Sequence, residues 1–223
     1  MTAGQGNHGG LRNVSLRDQW RLDRRARRLV QMMVGLSGFG ASLALLIRSG
    51  LGAAPWDVLH TGLGLHVGLS VGTMSVLISF VVLIAWIPLR LQVGIGTIAN
   101  ALWVGTTMDL TLSVLPEADS LVAGLLMSVA AVLLNGISGA VYIGAQLGSG
   151  ARDGLMTGLH FRLGWPIGPT RIALEILVLG IGVLLGGPFG IGTVLYAIGL
   201  GPTIHAALPW VTIPIGSRAQ ARP

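Results

Sequence analysis

Leu51-Gly52-Ala53-Ala54-Pro55-Trp56-Asp57-Val58-Leu59-His60-Thr61-Gly62-Leu63 occurs twice in this chain in related form. Moved along by 96 residues, from Asp57 to Asp153, it reads Leu147-Gly148-Ser149-Gly150-Ala151-Arg152-Asp153-Gly154-Leu155-Met156-Thr157-Gly158-Leu159. The same offset superposes, without a gap, Gly40 on Gly136, Ser42 on Ser138, Gly68 on Gly164, Gly72 on Gly168, and Gly94-Ile95-Gly96-Thr97 on Gly190-Ile191-Gly192-Thr193. Roughly a third of the aligned positions match between Gly40 and Leu112, more than apolar composition alone produces, so the chain is two copies of one unit.

Composition sets the solvent of those copies. Of 223 residues 52% are hydrophobic and 10% charged, and the mean hydropathy is +0.76, the balance of an integral membrane protein. All 14 basic residues are arginine, and Arg12, Arg17, Arg21, Arg24, Arg25, Arg27 and Arg28 precede the first apolar run. The net charge of +6 is mostly theirs. It reads as a topology signal facing anionic lipid, not as a nucleic-acid site. The absence of cysteine excludes disulfides, thiolate metal sites and a cysteine nucleophile. The long polar start is unlike a secretory signal peptide, so the first apolar run is expected to stay as an uncleaved anchor.

Spans long enough for the ~20 residues a bilayer helix needs are expected at residues 30–47, 71–89, 93–115, 121–143, 167–185 and 189–211. Residues 50–69 and their copy 146–165 are broken by glycine, proline and polar groups. Each leaves room for about 12 helical residues, roughly 18 Å, short of a ~30 Å core. If these pieces do not cross, 13 arginines fall on the side of the N-terminal tail and only Arg48 on the other; making them cross moves Arg48, Arg90 and Arg152 outside. The first arrangement is the expected one, with both termini cytoplasmic. Three crossings per copy then invert the second copy against the first. The expected fold is all-α and polytopic: six transmembrane helices plus two short re-entrant helices, an inverted 3+3 repeat. Its parts are a basic tail (1–28, with a short surface helix over 16–28), repeat 1 (29–118), repeat 2 (119–213) and a C-terminal tail (214–223).

Asp57 and Asp153 occupy equivalent places in the short helices, where a carboxylate at membrane depth needs a partner or a water-filled cavity. The plainer reading is a negative charge in the first helical turn, after Pro55, suiting the helix dipole and free N–H groups. His60 and Thr61 follow Asp57 on one helical face, with Met156 and Thr157 in the second copy. A proton relay between Asp57 and His60 is weighed against a merely hydrogen-bonded histidine. Of the two aspartates, Asp153 is expected to be neutralised by Arg152, leaving Asp57 as the proton or solute handle. Thr97, Ala101, Gly105 and Asp109 recur at four-residue spacing, and Thr193, Ala197, Gly201 and His205 repeat the row. The small residues make a close packing face, and Asp109 and His205 put ionisable groups on it. Arg171 and Glu175 are expected to form an ion pair one turn apart. Gly68-Leu69-Ser70-Val71-Gly72 matches the nucleophile-elbow pattern, but the second copy keeps only the glycines, so a turn and not a hydrolase is expected.

The boxes Leu51 to Leu63, Gly94 to Thr97, Leu147 to Leu159 and Gly190 to Thr193, the last followed by Gly201-Pro202, resemble the YczE/YitT group of bacterial membrane proteins. The similarity runs from about Val34 to Thr203 and is nearer the YczE type, which lacks the soluble C-terminal domain of the YitT type. It implies a multi-span protein of the bacterial cytoplasmic membrane and supplies no substrate or reaction. From the residues, the expected function is a small transporter or channel subunit with a solute site between the repeats, drawing on Asp57, Asp153, Thr61, Thr157, His60, Asp109 and His205. The alternative is a non-transport membrane partner that stabilises or localises another complex. Neither an enzyme nor a cofactor or metal is implied, since no HExxH spacing or nucleophile–base set is present. The partners expected are the lipid bilayer, an unknown small solute or ion, and a second copy or another membrane protein.

Overall fold

The computed structural model describes residues 23–214; the residues before and after carry most of the two expected tails and lie outside the described part. Eight helices and no strand are present among the described residues: α1 (Arg25–Arg48), α2 (Pro55–Val67), α3 (Val71–Leu89), α4 (Ile95–Val114), α5 (Leu121–Gly144), α6 (Ala151–Leu163), α7 (Ile167–Leu184) and α8 (Ile191–Val211). The last four repeat the first four at the 96-residue offset, with α1 and α5 both 24 residues long and α2 and α6 both 13. Local sequence accounts for these boundaries. Pro55 opens α2 at a position where the missing N–H costs nothing, and Gly68 and Gly164, both at positive φ, close α2 and α6. Ser70 and Ser120 cap α3 and α5 by accepting from Thr73 and Ala123 N–H at 3.1 and 3.2 Å.

Five helices, α1, α3, α5, α7 and α8, are long and apolar enough to cross a membrane. The expected sixth span, α4, has 20 residues but carries Thr97, Asn100, Thr106, Thr107, Asp109, Thr111 and Ser113, which lower its hydropathy. Its threonines donate back to carbonyls of their own helix, as Thr106 does to Leu102 at 2.8 Å and Thr111 to Thr107 at 2.7 Å. The surface helix expected over 16–28 falls largely outside the described residues, but its end is corrected: from Arg25 the chain is already in α1.

α1 and α5 pack on one another at the centre, with α4 against α1 and α8 against α5. The small residues of the repeat make that closeness possible: Gly35 meets the Tyr142 backbone, and a Cβ there would sit 2.6 Å from Tyr142 N. The remaining helices interlock across the halves, α2 lying on α7 and α6 on α3. Arg48 at the end of α1 donates to Leu112 O of α4 at 2.6 Å and pairs with Glu117 at 2.7 Å. At the other end of α1, buried Arg28 donates to Ala145 O at 3.0 Å, to Ile213 O at 3.4 Å and to Pro214 O at 3.0 Å, covering the carbonyls where α5 and α8 stop. The two ends of the described chain therefore meet, and α1 and α4 run opposite to α5 and α8.

Candidate functional site

The site is built by two backbone clamps that cross between the halves. The segment after α1 is tied to the start of α8, where Gly192 N–H donates to Leu51 O at 2.7 Å. The segment after α5 is tied to the start of α4 in the same way, Gly96 N–H donating to Leu147 O at 2.7 Å. In each, the threonine of the Gly-Ile-Gly-Thr box accepts from the first glycine's N–H, Thr97 from Gly94 at 3.2 Å and Thr193 from Gly190 at 3.4 Å. Gly52 and Gly148 turn the clamped chain at φ +120° and +121°, a backbone that side chains rarely adopt. The two boxes of each copy thus recur together because each box of one half grips the other half.

The clamps aim α2 and α6 at one another. Trp56 and Ala151, in the first turns of the two helices, share one buried apolar cluster with Leu59, Val82 and Val178. Arg152 lies over the Trp56 ring, its guanidinium carbon 4.9 Å from the centroid, and reaches Ser75 Oγ at 3.4 Å. Trp86 of α3 donates to Ala151 O at 3.0 Å and fits its ring against Gly154.

Asp57 is completely buried, and so is His60, whose Nδ1 lies 3.0 Å from Asp57 Oδ1. No side-chain cap bond closes the N-terminus of α2, where Ala54 holds the cap position. Asp57 Oδ2, His60 Nε2 and Thr61 Oγ1 are buried without a hydrogen-bond partner. Thr157, at the place of Thr61, instead donates to Gly154 O at 2.9 Å, and Met156, at the place of His60, packs as a buried apolar residue.

Asp153 differs from its twin, because it is exposed. Gly150 separates it from Asn100: a Cβ there would lie 3.4 Å from both Asp153 Oδ2 and Asn100 Oδ1. The three ion pairs among the described residues are Arg48–Glu117, Asp57–His60 and Arg171–Glu175, the last at 2.9 Å. Arg152 makes no ion pair with Asp153, since its guanidinium turns to the Trp56 face, whereas Asp57 has a bonded neighbour in His60. Arg171, Glu175 and Arg152 remain within electrostatic reach of Asp153, and Tyr196 of Asp57. Tyr196 also donates to Asn135 Oδ1 at 3.1 Å, while Asn135 donates to Ser42 Oγ at 2.6 Å, a polar chain through α8, α5 and α1.

Asp109 and His205 are not brought to this place. Asp109 accepts from Gly72 N–H at 2.8 Å and from Ser70 Oγ, locking α3 to α4; that bond also accounts for Ser70 in its hydrolase-like pattern. His205 is exposed on α8. The small-residue row packs as expected on α4, where Ala101 and Gly105 are buried, but Ala197 and Gly201 on α8 are exposed. In the sequence Arg28 does not stand out from the other tail arginines. Its only signal there is its place two residues before the apolar run.

A multi-pass integral membrane protein is what these long apolar helices define. The chain belongs to the family of unknown function DUF6198, whose model matches residues 26–209. It is 36% identical over 174 residues to an uncharacterized protein of Haemophilus influenzae, covering 78% of this chain and 80% of that one. It is 33% identical over 172 residues to the uncharacterized membrane protein YczE of Bacillus subtilis, covering 77% and 80%. To the uncharacterized protein YyaS of the same organism it is 31% identical over 183 residues, covering 80% and 90%. No solved structure matches.

Proposed function

We propose that the protein is a small transporter that exchanges which of its two halves is closed. In this reading six helices, α4 included, span the cytoplasmic membrane as an inverted 3+3 repeat, and α2 and α6 are re-entrant. The opposed directions of α1 and α5 and the meeting of the two short-helix N-termini support it, as does the arginine count, which puts the Arg28 end in the cytoplasm.

One observation carries the reading: equivalent helix pairs are packed differently. α3 and α4 are closed together, Gly72 and Gly105 facing one another and Asp109 fastening them. Their counterparts α7 and α8 stand apart, and a Cβ on Gly168 or Gly201 would meet nothing within 4 Å. The opening lies toward the Arg28 end and exposes Asp153 and Arg171, which are charged where Ser75, the twin of Arg171, is buried. Two related units in two packings are the ingredients of alternating access: closing α7–α8 while releasing α3–α4 would carry the centre from one face to the other. The solute site is then the ground between Asp57 and Asp153.

The uncovered α7–α8 face also favours a second reading, a seat for another membrane protein. Cysteine pairs separate the two in a chain that has no cysteine of its own. Val76 Cγ2 lies 2.8 Å from a Cβ built on Gly105, so Val76→Cys with Gly105→Cys is in disulfide range. The equivalent pair is Ile172→Cys with Gly201→Cys. Transport predicts that both pairs cross-link within one chain and that locking either prevents the other. Complete cross-linking of the first pair with none within a chain at the second makes α7–α8 a fixed docking face and sinks the transport reading. Flux of a panel of small solutes into liposomes, abolished by either lock, then identifies the cargo.

A further inference from the structure

We infer that Asp57, His60 and Thr61 form a proton-binding site inside the membrane part and that the transporter's coupling ion is the proton. The coupling rests on the transport reading above; the site itself does not. Three polar atoms, Asp57 Oδ2, His60 Nε2 and Thr61 Oγ1, are buried without partners, and the residues sit at i, i+3 and i+4 of α2, hence on one face. Folded proteins rarely leave such groups unsatisfied, and a membrane interior is the least forgiving place to do so.

The fold does not require them. At the equivalent position α6 has Met156 for His60, packed and buried, and Thr157 is satisfied by its own helix. Packing alone is therefore content with an apolar residue at this place, and the imidazole calls for another explanation. The donor set selects the ligand. One carboxylate, one imidazole and one hydroxyl are too few hard oxygens for a sodium or calcium ion, and no group of three metal-ligating side chains occurs among the described residues. A carboxylate with an imidazole at 3.0 Å is well suited to taking up and giving back a single proton.

The step balances as proton transfer alone. A proton from water joins the Asp57 carboxylate and the neutral imidazole, taking the pair from one negative charge to none, shared along the Oδ1–Nδ1 hydrogen bond; release on the other side reverses it. The groups around the pair are arranged for this change. From α6, Arg152 is within electrostatic reach of His60 and balances the deprotonated pair. From α8, Tyr196 faces Asp57; from α7, Arg171 and Glu175 act on Tyr196 as a pair of opposite charges. α3 contributes no titratable residue. Once a proton neutralises the pair, Arg152 has only its sequence neighbour Asp153 and any solute anion to balance, which links the proton to the open half.

The direct test is nitrogen NMR of the full chain, labelled on histidine and held in lipid nanodiscs, with His60 identified by the signal missing from His60→Gln. Over a scan from about pH 4 to about pH 9 the His60 ring shifts should titrate, and Asp57→Asn, which removes the carboxylate bonded to Nδ1, should lower the midpoint by about one pH unit or more. His60 ring shifts that are constant over this range in the unaltered chain overturn the site. The coupling is read from the two cysteine pairs, as the ratio of Ile172–Gly201 to Val76–Gly105 cross-linking rates, which cancels the pH dependence of thiol chemistry. This ratio should change several-fold across the His60 midpoint found by NMR and become flat in Asp57→Asn and His60→Gln. A His60 that titrates while the ratio stays flat in the unaltered chain overturns the coupling. Absence of the Ile172–Gly201 cross-link at every pH overturns the transport reading instead, and leaves the His60 titration to decide the site.

Discussion

Gly192 donates its N–H to the carbonyl of Leu51 across the two halves of the molecule, and Gly96 does the same to Leu147, both at 2.7 Å. Each half thus supplies the anchor on which the other half's short helix is hung. A clamp of this kind fixes where each short helix starts while leaving the helices beyond it, α3 with α4 and α7 with α8, able to differ.

Substituting the turning glycines should undo the clamps. A Cβ on Gly52, at φ +120°, would come within 2.8 Å of Gly190 N, and one on Gly148 within 3.1 Å of Thr97 Oγ1. Gly52→Ala and Gly148→Ala are each expected to cost about 1–3 kcal/mol from backbone strain alone. Thermal unfolding in detergent, followed by tryptophan emission, should show both melting lower. Gly50→Ala, at positive φ but in open space, should lose less.

The contact of α3 with α6 is a large residue seated on a small one. Gly154 receives the Trp86 ring, whose Cε2 is 2.7 Å from a Cβ built there, whereas in the other half Gly182 is the small partner and Val58 the larger. Gly154→Ala should displace the indole and break its bond to Ala151 O, destabilising by about 1–3 kcal/mol. Trp86→Phe should cost about 2 kcal/mol, because it removes both the hydrogen bond and the part of the indole that lies on Gly154. Adding Trp86→Leu to Gly154→Ala should recover part of the loss, and a double-mutant cycle on melting temperature measures it.

Arg28 covers carbonyls at the ends of α5 and α8, and its neighbour Arg27 is exposed. Arg28→Ala takes the arginine from Ala145 O and Pro214 O, while Ile213 O keeps the Gln146 amide, and should destabilise by about 1–3 kcal/mol, while Arg27→Ala should be near neutral. Arg28→Lys should rescue little, since an ammonium lacks the planar fork that reaches three carbonyls at once. Protein yield in membranes and melting temperature together check this.

Asp109 fastens α3 to α4, and its twin His205 fastens nothing. Asp109→Ala should therefore slow cross-linking of Val76→Cys with Gly105→Cys and speed that of Ile172→Cys with Gly201→Cys, severalfold in each case. Equal rates with and without the carboxylate would show that glycine packing alone keeps α3–α4 shut.

The proposed sidedness rests on the arginine distribution. A cysteine placed at Ser120, beside the Glu117 end, should react with an impermeant thiol reagent added to intact cells. One placed at Ser217, which lies outside the described residues, should react only after the membrane is opened. Labelling of the Ser217→Cys chain in sealed cells would reverse the assignment.

The repeat, the helix boundaries and the membrane class were legible in the sequence, because they depend on short-range properties. Pro55, Gly68, Gly164 and the serine caps act within a turn of where they stand, and hydropathy sums along the chain. Even the meeting of the two short helices was expected from spacing. Partner choice was not legible, since apolar side chains look alike whether they face lipid or a neighbouring helix. Only the tertiary structure decided that Arg152 lies over Trp56, that Asp109 locks a helix pair while His205 does not, and that Arg28 is buried under three carbonyls. These depend on contacts between residues up to 186 positions apart. Two related copies are packed differently, and the similarity between them carries no record of which copy is closed.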